Sequence, residues 1–123
     1  MALTYYSDIV KNKLHARAVQ IYAILISAAH NRQTLTYGMV ADLLDYKGAG
    51  VLDRQLGLIM NWCADNDLPP LTVLVVNSET GLPGEGLVRI NELHSDRELV
   101  FNYPWFGLVP PSIDELADYG ALR

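Results

Sequence analysis

Apolar positions along the chain recur at helical spacing over three stretches, and these set the expected architecture. Ala18, Ile21, Tyr22, Leu25, Ala28 and Ala29 share one broad face, predicting a packing helix from about His15 to Asn31. Ahead of it, Ser7 is a candidate cap for a short helix from Asp8 to Leu14. Thr36 is placed to cap a second helix that opens at Tyr37 and turns Met39, Val40, Leu43 and Leu44 inward. Gly48 and Gly50, within Tyr46–Gly50, break that helix. A third helix, Val51 to Asp65, takes Leu52, Leu56, Ile59, Met60 and Cys63 inward and leaves Arg54, Gly57, Asn61 and Asp65 on the opposite side. Pro69 and Pro70 lie beyond its end.

The pattern then changes. Leu71 to Val76 is a short β-branched apolar run, which reads as a buried strand. Asn77 to Gly86 is a turn cluster, and Leu87 to Ile90 is the expected returning strand that would make this loop a wing. A polar stretch from Asn91 to Glu98, helical from about Ser95, leads into Phe101, Tyr103, Trp105 and Phe106, which are too dense for a free loop. Ser112 with Glu115 three residues on is a capping box for a last helix through Tyr119. The expected fold class is α+β: a winged helix-turn-helix-like core at about 16–90, with a small β-wing, and a C-terminal helical packing extension at about 91–123, together one domain.

Composition narrows the function classes. A chain of 123 residues that is 50% hydrophobic can bury a core without staples. One cysteine excludes an internal disulfide, and no apolar run approaches a membrane span, so the expected compartment is the cytoplasm. The N-terminus lacks the apolar stretch of a signal peptide. The net charge of −5 weighs against non-specific nucleic-acid binding, though its distribution is uneven. Residues 1–50 carry Lys11, Lys13, Arg17, Arg32 and Lys47 against three acids, whereas from Glu92 onward six acids face two arginines.

Candidate chemistry is sparse. Cys63 lies on the apolar stripe beside acidic neighbours, the wrong setting for a reactive thiolate. His15, His30 and His94 lack partners at zinc spacing, and Glu92, His94 and Asp96 share no helical face. Gly81, Gly84 and Gly86 could form an anion nest, but Glu85 opposes a phosphate and no Lys-Ser/Thr follows. No enzyme activity, cofactor or metal is therefore expected. The outer face of the third helix remains. Arginine reads grooves well, and a glycine one turn on admits close backbone approach; the other reading is a solvated arginine and a glycine at a tight helix–helix contact.

The order Thr36-Tyr37-Gly38, Val40-Ala41, Arg54-x-Leu56-Gly57 and Pro69-Pro70 resembles the DNA-binding domain of alkylguanine-DNA alkyltransferases and alkyltransferase-like proteins, over about residues 16 to 86. In that family the recognition-helix arginine enters the minor groove and helps extrude a base, and the tyrosine contacts the backbone. The resemblance implies that Arg54 and Tyr37 lie at a nucleic-acid surface. The family's Pro-Cys-His-Arg or Pro-Trp-His-Arg is replaced here by Leu71 to Asn77, which lacks the nucleophile and its histidine, so alkyl transfer is not implied. The whole chain also resembles a group of small uncharacterised bacterial proteins often carried on mobile DNA, which implies a complete unit. The expected function is a non-enzymatic DNA-binding module contacting double-stranded DNA through Tyr37, Lys47, Arg54, Gly57 and Asn61. The alternative is a protein-interaction or self-associating module on the same scaffold, using Leu58, Trp62 and the aromatics Tyr103 to Phe106, without membrane or metal.

Overall fold

The computed structural model describes residues 3–9, 11–47, 52–84 and 92–120. Among them are five helices and one two-stranded parallel sheet, a mostly helical arrangement within the broad α+β class. The helices are α1 (Lys13–His30), α2 (Tyr37–Leu43), α3 (Asp53–Asp65), α4 (Leu93–Asn102) and α5 (Ile113–Gly120); the strands are β1 (Leu35–Thr36) and β2 (Val75–Val76). The expected turn at Gly48 and Gly50, the loop end at Glu85 and Gly86 and the returning strand Leu87 to Ile90 lie outside the described residues.

α1 is the axis of the molecule. Its face Ala18, Ile21, Tyr22, Leu25 and Ala29 is fully buried, and α3, α4 and α5 all pack against it. Val100, Trp105 and Leu116 enter the same cluster as Leu56 and Ile59, so the C-terminal extension completes one core with the N-terminal helices. Tyr22 joins the halves: Trp62 of α3 meets its ring edge-on at 5.5 Å and Trp105 at 6.4 Å. Burial pushes the Tyr22 phenol up to about 12, with Cys63 and Tyr103 adding to the effect.

Three helices stop by the same device. Arg32, Asp45 and Asp67 have φ of 55°, 59° and 55°, a left-handed turn that L side chains enter at a cost. Each lets the following N–H reach back five residues, from Gln33 to Ala28, Tyr46 to Ala41 and Leu68 to Cys63, at 2.8–2.9 Å. Tyr46 and Leu68 then pack on the core, the apolar contact that accompanies this motif. α2 thus ends before the first glycine that its sequence offers. At its start the expected cap is present, the Met39 N–H donating to Thr36 Oγ1 at 3.0 Å. The capping box of α5 is present as well: Ser112 N–H donates to Glu115 Oε1, and Glu115 N–H to Ser112 Oγ.

Several expectations are corrected. No helix runs from Asp8 to Leu14; a 3-10 turn at Tyr6–Asp8 is followed by α1, and Ser7 caps neither of these elements. Leu71–Leu74 is a 3-10 turn rather than strand, because its four side chains are all buried and a continuous apolar run does not discriminate between the two. Only Val75–Val76 pairs as strand, in parallel with Leu35–Thr36. The described sheet is this parallel pair, and a single antiparallel bridge joins Val76 to Pro83; the returning strand expected at Leu87 to Ile90 lies outside the described residues. α4 begins at Leu93, ahead of Ser95. In α2 the core takes Val40, Ala41 and Leu44, whereas Met39 and Leu43 face solvent. A seven-residue helix that meets the core on one side cannot bury both adjoining rows of apolar side chains.

Candidate nucleic-acid interface

The outer row of α3 is arranged as its spacing predicts. Arg54 is exposed and makes no hydrogen bond or ion pair with any described residue. Gly57 follows one turn later, and a Cβ added there would meet nothing within 4 Å. Among the described residues no helix is in tight contact at Gly57, and its bare backbone lies one turn from a guanidinium that none of them engages. Gly57→Ala is accordingly expected to stabilise the fold by about 0.5–1 kcal/mol, read as a rise in the urea midpoint, because it restores helix propensity without a clash.

Asn61, a further turn on, is half-buried, and its Nδ2 is enclosed without a hydrogen-bond partner among the described residues. Asp65 closes the row but is engaged by α5, whose Tyr119 hydroxyl donates to its Oδ2 at 2.7 Å. That bond raises the Tyr119 phenol above its ordinary value. Trp62 Nε1 donates to Glu115 Oε2 at 3.3 Å, a second tie between the helices. The open part of the face therefore runs from Asp53 to Asn61. Leu58 and Trp62, expected as self-association residues, are 4% exposed and belong to the core. A helix packed against both α1 and α5 buries a wider arc than one apolar stripe indicates.

Tyr37 stands at the N-terminus of α2, half-buried, and its hydroxyl accepts the Gly84 N–H at 2.9 Å. Burial raises its phenol, the Gly84 bond opposes that, and the nearby Asp53 carboxylate adds to it. Tyr37 thus ties the loop after β2 to α2 near the start of α3, and its oxygen is already occupied by protein. The same loop is held a second time by Arg97, whose Nη2 donates to the Gly81 carbonyl at 2.9 Å. Asn77 Oδ1 shapes the turn by accepting from Glu79 and Thr80. Lys47 is exposed, three residues beyond the end of α2's last turn at Leu44.

The basic residues of the N-terminal half are not equivalent. Arg17 is committed to the fold: Nη2 donates to the Leu44 carbonyl at 2.9 Å and Nη1 to Gln20 Oε1 at 2.7 Å. Its guanidinium lies 4.2 Å from the Tyr6 ring centre and 5.2 Å from that of Tyr46. Arg32 pairs with Glu98 at 2.7 Å and lies over the Phe101 ring. The Arg32 hydrogen bond holds the Glu98 carboxyl below its ordinary value. Lys11, Lys13, Lys47 and Arg54 remain as exposed cations. Charge counting along the sequence misses the commitment of Arg17; its only signal is the pair of flanking tyrosines, Tyr6 and Tyr46, which are far apart in the chain.

The remaining candidates fall away on geometry. Cys63 is buried, and burial pushes its thiol up to about 11. Asp96 points into the protein while His94 is exposed, so these two do not converge. No cluster of three or more His, Cys, Asp or Glu suited to a metal occurs among the described residues. No helix among them is long and apolar enough to cross a membrane. Comparison with protein-family models, curated proteins and solved structures returns no match.

Proposed function

We propose that this chain is a non-enzymatic double-stranded-DNA-binding module of winged-helix type, contacting its partner through α3. The observation that carries the reading is the pairing, on one helix face, of an exposed arginine at position 54 that no described residue engages with bare backbone at Gly57. An α-helix fits the major groove only when its near face is unobstructed, and arginine is the commonest base- and phosphate-reading side chain. Support also comes from the order α1, β1, α2, α3, β2 and from the Tyr37–Gly84 tie, which fixes the following loop beside the α2–α3 unit. In this reading Lys47 supplies a phosphate contact, Asn61 lies at the floor of the contact and Tyr37 positions the loop.

The acidic chain sets the expected strength. With Arg54 and Lys47 as the principal cations, the logarithm of affinity falls with the logarithm of salt with a slope of about −2. The test is fluorescence anisotropy of a labelled mixed-sequence duplex, titrated at low and moderate salt. Arg54→Ala is expected to weaken binding by about 10- to 100-fold, and Lys47→Ala to flatten the salt slope by about one unit. Gly57→Leu, whose Cβ would meet nothing within 4 Å, is expected to block binding, with circular dichroism checking that the fold is kept. Absence of binding at low salt, or binding indifferent to Arg54→Ala and Gly57→Leu, would reject the reading.

A further inference from the structure

Every lysine of the chain lies within its first 47 residues, at positions 11, 13 and 47, and all three are exposed. Contacts between distant segments gather them beside the start of α3. Arg17 lies one turn beyond Lys13 on α1. Its guanidinium donates to the Leu44 carbonyl and lies 5.2 Å from the Tyr46 ring centre. Lys47 directly follows Tyr46, whose hydroxyl accepts from Gln55 Nε2 at 3.3 Å, and Gln55 is the neighbour of Arg54. The Tyr6 ring, 4.2 Å from the same guanidinium, brings the 3-10 turn that precedes Lys11 to this side as well. The side chains of Lys11, Lys13, Lys47 and Arg54 form no hydrogen bond or ion pair with a described residue. Asp8, Asp42, Asp45 and Asp53 lie on the same elements without pairing to any of the four. The opposite end of α3 has the contrary sign. Beyond Arg54 that helix carries no Lys or Arg, and it ends on Asp65. α5, tied to it by the Tyr119–Asp65 and Trp62–Glu115 bonds, adds exposed Asp114, Glu115 and Asp118 with no cation of its own.

We propose that a duplex bound at α3 extends from Arg54 over the start of α1, where Lys11 and Lys13, together with Lys47, hold the phosphates of its backbone. This inference rests on the α3 reading and adds to it the direction in which the DNA leaves that helix. A duplex presents negative charge along its whole length, so its course is set by the sign of the surface on either side of the contact. Toward Asp65 it would meet the carboxylates of α3 and α5; toward Lys47 it meets ammonium groups that no described residue engages. Lysine suits this task, because its ammonium is a point charge on a flexible stem that holds a phosphate without reading a base. The contact therefore adds affinity and salt dependence, and no sequence preference. Arg17 acts here as a positioning residue: held by Tyr6, Tyr46 and the Leu44 carbonyl, it keeps the two lysine-bearing segments together.

Site-resolved lysine acetylation, with and without a saturating mixed-sequence duplex, tests it beside anisotropy titrations of wild type and Lys11→Ala/Lys13→Ala over stepped salt. The duplex is expected to slow acetylation of Lys11, Lys13 and Lys47 several-fold. Arg54 and Lys47 account for a salt slope of about −2, so two further phosphate contacts steepen that of wild type to about −4. The double variant is expected to return it to about −2, with about 10-fold weaker binding at low salt. Both lysines are exposed, and circular dichroism checks that the variant keeps its fold. Protection of Lys47 alone, or a double variant that binds as wild type does, would overturn this inference and leave the α3 reading standing. Absence of binding at low salt, or binding indifferent to Arg54→Ala, would reject the α3 reading and this inference with it.

Discussion

Trp105→Ala is expected to lower unfolding stability by about 4 kcal/mol, a large part of what a domain of this size possesses. The indole is 2% exposed and is the largest fully enclosed side chain among the described residues. Its removal opens a cavity against Tyr22, breaks the edge-on contact at 6.4 Å and takes the 2.8 Å donor from the Val100 carbonyl. Those losses fall where the C-terminal extension joins the α1 core, so the segment following α4 loosens first. Urea unfolding followed by far-UV circular dichroism measures the cost. Trp105→Phe retains a ring at Tyr22 and loses only the N–H donor and some volume, and it is expected to cost less than half as much. Equal losses for the two variants would show that packing on Tyr22 is not what holds the extension.

Arg17→Ala is expected to cost about 3 kcal/mol, an unusual penalty for an arginine on the side of a helix. The guanidinium lies between the Tyr6 and Tyr46 rings and donates to the carbonyl of Leu44, the residue that caps α2. Removing it deprives that carbonyl of its charged donor and frees the 3-10 turn Tyr6–Asp8 from the helices. Arg17→Lys restores charge but not a planar fork able to stack on both rings and reach both acceptors, so it recovers less than half of the loss. Thermal melts of the two variants beside wild type read the difference. If Arg17→Lys melted as wild type does, charge alone would suffice and the stacked geometry would be irrelevant. Because Arg17 fixes the end of α2, the alanine variant is also expected to loosen the α2–α3 connection and to weaken any binding through α3.

Legibility in the sequence followed how local each signal was. The α1 face, the Thr36 cap and the Ser112–Glu115 box depend on residues within a few turns of one another, and all three stand in the structure. Helix ends at Arg32, Asp45 and Asp67 escaped notice because glycine is the usual marker of a left-handed stop, and these side chains advertise nothing. Leu71–Leu74 misled for a different reason: burial on all sides erases periodicity. Exposure of Met39 and Leu43 depends on what α2 packs against, a tertiary fact without a local trace. At the candidate site, spacing alone puts Arg54 and Gly57 on the outer row of α3, and the structure has them on that row. The role of Tyr37 was not legible, since its partner Gly84 is 47 residues away.

An amide-resolved NMR titration of the labelled protein with a short duplex shows directly whether DNA contacts the outer face of α3. Shifts concentrated on Asp53 to Asn61 and at Lys47, fading as salt is raised, are expected. Shifts confined to α4 and the Trp105–Gly107 turn, or none at low salt, would contradict that contact.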